Sequence, residues 1–533
     1  MYVRPARRIA AVLAAAALVV PTTATAAPTT STKQPVVPKL NWGSCGSAPE
    51  LKPFQCATVE VPTDYDHPRG PTTTIALTRL PASDPAHRIG TLFTNPGGPG
   101  GPGVDFIQQV AQIAYTPQVR AQFDILGFDP RGVGKSDPAT CYRTEAEEQK
   151  VLASQPAFPV THAEERAYTT WGIKVGLHCT AFAGDKLAHM STANVARDMD
   201  LLRQAVGDDK LSYVGYSYGT YLGATYAKLF PTRVRALVLD GTLSPTGYSG
   251  SDGDRRPFGV RVAQGDGAAA TFAQFKAECR KAGPDRCSLA KLGDPSTVIE
   301  KLFKRLKTHP VVVTLPDGTT TTVTYQVAVV VGFQHMYDPA GWPELADLYS
   351  QLAAPAKRSK VPAALAEWTK HREVYPSLAQ AMQPCIETAK AGRPLAYPEY
   401  ADAADKTGPH FGRFRAWISQ PCESMPVKDT DAFKGPWPNE VKAPVLVIGT
   451  RYDPATPYQA TRPYADLFPA ARMLTVEGYG HTTLFKSNCA DARITTYLTT
   501  LQAPADGSTC QQDRKPFDPI PAGKKLVQGA VVQ

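Results

Sequence analysis

Three short stretches carry residues whose types and order suit acyl transfer. The first is Gly215-Tyr-Ser-Tyr-Gly219, which follows an apolar, β-branched run from Leu211 and leads into a helix-like segment ending near Phe230. A serine with glycines two residues away on either side fits a sharp strand-to-helix turn. That turn exposes the hydroxyl as a nucleophile, and glycine leaves no Cβ to block it. Such a hydroxyl attacks only when a base takes its proton, and the base needs an acid to orient it. Downstream, Arg451-Tyr-Asp453-Pro-Ala-Thr-Pro457 follows one strand-like run, and Glu477-Gly-Tyr-Gly-His481-Thr-Thr483 follows the next. Ser217 is thus expected as nucleophile, His481 as base and Asp453 as orienting acid. Asp240, at the end of the strand after the nucleophile helix, is the competing acid. Asp453 is favoured because its loop directly precedes the His481 strand.

A tetrahedral intermediate needs hydrogen-bond donors preset where negative charge develops. The Tyr218 N–H is one by the geometry of the turn. The other is expected from Asn95-Pro-Gly-Gly-Pro-Gly100, with Gly98 the first choice, since glycines let main chain approach a substrate. A phosphate-cradling role for that loop is disfavoured, because no Gly-Lys-Ser/Thr follows and no dinucleotide fingerprint opens a helix. Asp129 and Arg131, in Asp129-Pro-Arg-Gly132, read as an ion pair bracing the glycine loop. Tyr216 and Tyr218, on either side of the serine, read as pocket walls or as packing. No cysteine pair has C-x-x-C spacing and no cofactor motif occurs, so neither a metal nor a cofactor is expected.

The elements that must position these residues alternate in period. Strand-like runs at 57–61, 73–77, 90–94, 122–128, 211–214 and 234–239 are separated by helical or turn-rich segments, including an apolar helical repeat over 190–206. Glycine-rich turns close several of the strands. This pattern predicts a mostly parallel sheet flanked by helices. From about Thr242 to Lys428 the periodicity turns helical, apart from a hairpin pattern rich in Val and Thr over 310–323, before strand-like runs resume at 443–450 and 472–476. The expected organisation is a core over 41–241, an inserted helical cap over 242–428, a second core part over 429–510 and a C-terminal tail over 511–533.

The N-terminus reads as an export signal over 1–26. Arg4, Arg7 and Arg8 precede an apolar run over 9–20, then Pro21 and the small-x-small pattern Ala24-Thr25-Ala26. The run is shorter than the roughly 20 residues a membrane span requires, so no stable insertion is expected once the signal is cleaved. Residues 27–40 read as a flexible or processed lead-in. The formal net charge of +9 over 533 residues is mild, and no basic run alternates with aromatics, which argues against nucleic-acid binding. Ten cysteines in an exported chain predict disulfides. The simplest pairing joins neighbours: Cys45 with Cys56, Cys141 with Cys179, Cys279 with Cys287, Cys385 with Cys422, and Cys489 with Cys510.

The glycine loop at 95–100, Gly127-Phe-Asp-Pro-Arg-Gly-Val-Gly-Lys-Ser136, Gly215-Tyr-Ser-Tyr-Gly-Thr-Tyr-Leu-Gly223 and Asp453-Pro-Ala-Thr-Pro457 together resemble the secreted tripeptidyl aminopeptidases. These are relatives of the prolyl aminopeptidases among the α/β-hydrolases, and the resemblance spans nearly the whole chain after the leader. It implies an α/β-hydrolase fold with a mainly helical cap. It also implies a secreted serine exopeptidase that removes short peptides, often tripeptides, from free N-termini of peptides or proteins through an acyl-enzyme on Ser217. Such an enzyme needs a cap carboxylate for the substrate's α-ammonium. The resemblance points to Glu387, with Glu278, Asp338 and Glu344 as other cap acids. The alternative is a secreted serine esterase or lipase-like hydrolase of small or lipid esters, because the same triad serves both and fold does not assign substrate. A non-catalytic binding protein is disfavoured because no triad member is missing. An epoxide or halide hydrolase is disfavoured because those place an aspartate where Ser217 stands.

Overall fold

The computed structural model describes residues 34–315, 318–354 and 377–519. The export-signal reading over 1–26, most of the lead-in and the tail from 520 onward lie outside the described residues. Ten strands form one sheet: β1 (Gly43–Ser44), β2 (Gln55–Pro62), β3 (Thr72–Leu80), β4 (Gly90–Asn95), β5 (Phe123–Phe128), β6 (Leu211–Tyr216), β7 (Val234–Asp240), β10 (Val445–Tyr452), β11 (Ala471–Tyr479) and β12 (Ser508–Gln511). Their spatial order is β1-β2-β3-β5-β4-β6-β7-β10-β11-β12. Pairing is antiparallel from β1 to β5 and parallel from β5 onward. The central strands β4, β5 and β6 are buried along their whole length, as continuous apolar runs covered on both faces require. The chain is an α/β-hydrolase by this topology, and the glycine loop, the Ser217 turn, Asp453 and His481 all leave the carboxyl ends of parallel strands.

The stretch between β7 and β10 forms the cap. It contains helices Gln264–Ala282, Pro295–Leu306, Tyr325–His335 and Trp342–Ala353, and the antiparallel hairpin β8 (Val311–Thr314) with β9 (Thr320–Val323). Its own apolar core gathers Phe272, Phe303, Trp342, Tyr349 and Trp417, all almost fully buried. The residues just after Cys510 depart from the loose tail expected there. Gln511 completes β12, and Phe517 is buried with its ring 6.2 Å from that of Phe275 in the cap. An apolar ring outweighs the polar, proline-rich composition around it.

Between β5 and β6 the chain runs out through helix Glu145–Leu152 and the 26-residue helix His162–Leu187 before returning through Thr192–Ala205. The long helix starts at a capping box in which Thr161 and Glu164 satisfy each other's backbone N–H groups. It then lies against the turn Gln420–Ser424 of the cap, with Gly172 and Gly176 at the contact. A Cβ at Gly176 would stand 2.4 Å from the Pro421 carbonyl oxygen.

The structure joins the cysteines as Cys45–Cys56, Cys141–Cys179, Cys279–Cys287, Cys385–Cys422 and Cys489–Cys510. Two of these bridges, Cys141–Cys179 and Cys385–Cys422, share one buried cluster where the excursion meets the cap. Among the described residues no helix is long and apolar enough to cross a membrane. Because the helix-to-cap contact leaves no room for a methyl group, Gly176→Ala should lower stability by about 1–3 kcal/mol. Urea denaturation checks this, with Gly184→Ala, whose site is open on the same helix, as the comparison.

Candidate active site

Strand β6 ends at Tyr216, and the helix Tyr218–Leu229 begins two residues later, so Ser217 must turn the chain alone. It does so at φ +55° and ψ −123°, a region that costs a non-glycine residue about 1–3 kcal/mol. The turn is held from both sides. The Ser217 N–H donates to the Asp240 carbonyl at 2.9 Å, and the Ser217 carbonyl accepts from Thr220 N–H at 2.9 Å and from its hydroxyl at 2.6 Å. The glycine loop closes over this corner. A Cβ on Gly97 would lie 2.6 Å from the Tyr216 carbonyl oxygen and 2.9 Å from Ser217 Cβ, so only glycine fits. The Gly97 N–H is taken by Asn95 Oδ1 at 3.0 Å. The Gly98 and Tyr218 N–H groups donate to no protein acceptor among the described residues.

Asp453 and His481 are brought together at the ends of β10 and β11. His481 Nδ1 lies 2.9 Å from both carboxylate oxygens of Asp453, and both side chains are about 1 % exposed. Asp453 also accepts the N–H groups of Ala455 and Thr456 at 2.8 Å each, the Thr456 hydroxyl at 3.0 Å and the Thr482 N–H at 3.2 Å. Burial alone would raise this carboxyl. The neighbouring imidazole and the convergent donors outweigh it and hold the carboxyl below its usual range. Asp240 stands apart from His481: its Oδ2 takes the Thr483 N–H at 2.9 Å and hydroxyl at 2.7 Å, while Oδ1 is buried without a partner. Burial pushes its carboxyl up to about 6, against the pull of Thr483 and Lys486.

At Gly241, next to the carbonyl that holds Ser217, a Cβ would stand 3.4 Å from His481 Cε1. His481 Nε2 is buried and makes no hydrogen bond, including none to Ser217. Hydrogen bonds of this kind are commonly long in unliganded enzymes and tighten around substrate. The cap takes part directly, since the Tyr337 carbonyl accepts the His481 N–H at 2.9 Å and the Tyr337 ring packs edge-on to the imidazole at 4.9 Å.

Glu387 lies in the wall behind Tyr218. Its Oε2 accepts the Thr192 N–H at 2.8 Å, and Oε1 accepts the Thr192 hydroxyl at 2.9 Å and the Tyr248 hydroxyl at 3.0 Å. The Tyr218 hydroxyl joins the same network through Thr192 and receives the Gln383 amide at 2.9 Å. Tyr218 is therefore bound into a polar cluster. Tyr216, by contrast, packs with its ring 6.0 Å from that of Phe106. Burial raises the Glu387 carboxyl to about 7, and Asp429 adds to the rise while Thr192 and Tyr248 oppose it. Among the other cap acids, Glu278 accepts the Tyr479 hydroxyl at 3.1 Å and Asp338 caps the turn at Ala340.

The expected Asp129–Arg131 ion pair is not formed. Asp129 instead accepts the N–H groups of Val104 and Lys135, at 2.9 and 2.8 Å, and so ties the helix after the glycine loop to its own turn. Arg131 pairs with Asp198 at 2.6 Å and donates to the carbonyls of Pro62, Thr63 and His189. Two residues apart on a tight turn, the side chains diverge to partners on different elements. Sequence reasoning also missed Thr192, Gln383, Thr456 and Lys486. Of these only Thr456 carried a local signal, because a carboxylate followed three residues later by threonine can bond that residue's N–H.

The sheet, the strained serine turn and the buried Asp–His pair are those of an α/β-hydrolase. A family model described as alpha/beta hydrolase fold matches residues 90–278, and one described as TAP-like protein matches residues 408–510. The serine protease Hip1 of Mycobacterium tuberculosis is 32% identical over 505 residues, covering 88% of this chain and 91% of its own. The tripeptidyl aminopeptidase of Streptomyces lividans is 30% identical over 499 residues, covering 90% and 87%. Carboxylesterase B of Mycobacterium tuberculosis is 31% identical over 494 residues, covering 87% and 88%. The chain belongs to the tripeptidyl-aminopeptidase-like family of α/β-hydrolases and is a serine hydrolase.

Since the Asp453 carboxylate, and not that of Asp240, meets the imidazole, Asp453→Asn should lower kcat by about 10⁴, the loss seen when a Ser-His-Asp triad loses its acid. Asp240→Asn should cost a small fraction of that. Steady-state turnover of any substrate the wild type cleaves compares the two.

Proposed function

We propose that the protein is a secreted aminopeptidase that releases short peptides, tripeptides in particular, from free N-termini through an acyl-enzyme on Ser217. In this reading Ser217 Oγ attacks the scissile carbonyl while His481 Nε2 takes its proton. Asp453 keeps the Nδ1 proton in place and offsets the charge of the imidazolium. The Tyr218 and Gly98 N–H groups receive the oxyanion, a contribution of about 10²–10³ in rate for each donor. His481 then returns the proton to the departing amine, and water repeats the sequence to free the peptide acid. No step calls for a metal or cofactor.

The observation that favours an amine-bearing substrate is Glu387. It is a buried carboxylate in the wall behind Tyr218, and among the described residues it forms no ion pair. Three donors leave one of its acceptor positions open, and a substrate α-ammonium would supply the missing positive charge. Export is supported by the leader pattern at the N-terminus and by the five disulfides, which persist in oxidising compartments. Ester hydrolysis is the second reading, because a relative of equal similarity bears the name carboxylesterase B.

One peptide supplied in free-amine and N-acetylated forms, with Ser217→Ala as control and products read by mass, separates the readings. Three-residue fragments from the free-amine form alone are expected. Equal cleavage of both forms, or hydrolysis of simple esters only, would remove the aminopeptidase reading. A pH dependence also follows. The Glu387 carboxylate becomes populated as pH rises through about 7, and the substrate amine loses its proton above about 8. KM for free-amine peptides should therefore fall and then rise across that range. Glu387→Gln should abolish the falling limb and raise KM about tenfold or more, the scale of a lost charged hydrogen bond.

A further inference from the structure

The loop that carries His481 follows a path that side chains other than glycine resist. Gly480, Thr482 and Phe485 have φ of +99°, +59° and +62°, so two residues with Cβ atoms sit in left-handed conformations within six positions. A path of this kind persists only where surrounding bonds over-determine it. The N–H groups of the loop are each held from a different element. His481 N–H donates to Tyr337 of the cap, Thr482 N–H to Asp453 after β10, and Thr483 N–H to Asp240 at the end of β7. Of its carbonyls, that of Thr482 takes the Thr450 hydroxyl at 3.3 Å, and two others share one side-chain donor. Lys486 Nζ donates to the His481 carbonyl at 2.9 Å and to the Leu484 carbonyl at 3.4 Å. No other donor reaches the His481 carbonyl among the described residues.

The same ammonium has an electrostatic setting. Asp338 of the cap, Asp240 of β7 and Asp453 all act on Lys486, and each favours its charged form. Loss of hydration works the other way and leaves the ammonium below its usual range. The groups facing the His481 loop are therefore Asp453 from the β10 loop, Asp240 from β7, Asp338 and Tyr337 from the cap, and Lys486 itself. Asp491 and Asp513 stand further out, beside Asp240 and at the loop's outer edge. Lys486 is thus the cation among the carboxylates that surround the His481 loop.

We propose that Lys486 is a positioning residue for His481: its ammonium fixes the His481 carbonyl, and so the direction of the imidazole. This inference rests on His481 being the base for Ser217. It adds that the base is aimed by a lysine five residues later, which does not share the Asp453–His481 hydrogen bond.

The test uses the full-length protein and an activated ester such as p-nitrophenyl acetate, so that it does not depend on the peptide specificity proposed above. Lys486→Met keeps the length of the stem and removes the charge and the donor. It is expected to lower kcat about ten- to a hundredfold, the scale of a small misplacement of a catalytic group, with KM within about threefold. Lys486→Arg, which keeps charge and donors, should restore most of the activity. Lys486→Gln, which keeps a donor and loses the charge, should retain an intermediate kcat and gives the same comparison if Lys486→Met does not fold. A folded Lys486→Met or Lys486→Gln with wild-type kcat would overturn the proposal, as would a folded Lys486→Arg no more active than Lys486→Met. Retained ester turnover in His481→Ala would instead remove the base assignment itself, and this inference with it.

Discussion

The buried contact between Asp453 and His481 is the interaction on which the rest of the site depends. An ionised carboxylate removed from water is costly unless donors replace its lost hydration. Here five groups do so: two N–H groups and a hydroxyl from its own loop, the N–H of Thr482 and the imidazole. With every other lone pair engaged, the carboxylate has one direction left in which to meet the histidine. The ring is thereby held with Nδ1 toward Asp453 and Nε2 buried and without a protein partner. The left-handed loop that carries His481 follows from this, because Thr482 must turn its N–H back toward the same carboxylate.

Four parallel strands carry this arrangement, and their order explains its geometry. Strands β6, β7 and β10 are neighbours, and β11 lies beside β10. The serine, Asp240, Asp453 and histidine loops thus emerge side by side at one edge. Asp240 bridges two of them, with its carbonyl on Ser217 and its carboxylate on Thr483. Asp240, the competing acid in the sequence, instead joins the Ser217 and His481 loops. The cap closes the set from above through Tyr337 on His481 and through Gln383 and Glu387 around Tyr218. Tyr218 is thus held by its hydroxyl to the cap.

The parts of this site legible in the sequence are those carried by short local patterns. Gly215-Tyr-Ser-Tyr-Gly219 encodes its own turn, since a Cβ at Gly215 would stand 2.4 Å from the Gly219 carbonyl oxygen and one at Gly219 2.9 Å from that of Asn95. The strands were legible because burial on both faces leaves nearly continuous apolar runs, and the nucleophile-acid-base order follows from chain direction. Glu387, Thr192 and Gln383 were beyond such reasoning as a group. They come from segments almost two hundred residues apart, and nothing in the local composition of each reveals the others.

The sequence alone determined the parallel sheet, the serine turn, the acid-bearing and base-bearing loops and an even cysteine count, because each depends on near-neighbour sterics or on periodicity. Tertiary structure alone decided which of Asp453 and Asp240 reaches His481, since both end adjacent strands and differ only in where their side chains point. It also decided that Asp129 and Arg131 part to separate partners, and that the excursion between β5 and β6 packs with the cap. The reason is common to all three. Choosing among chemically equivalent partners depends on distances between elements remote in the chain, and those distances exist only once the sheet has assembled and the cap has closed on it.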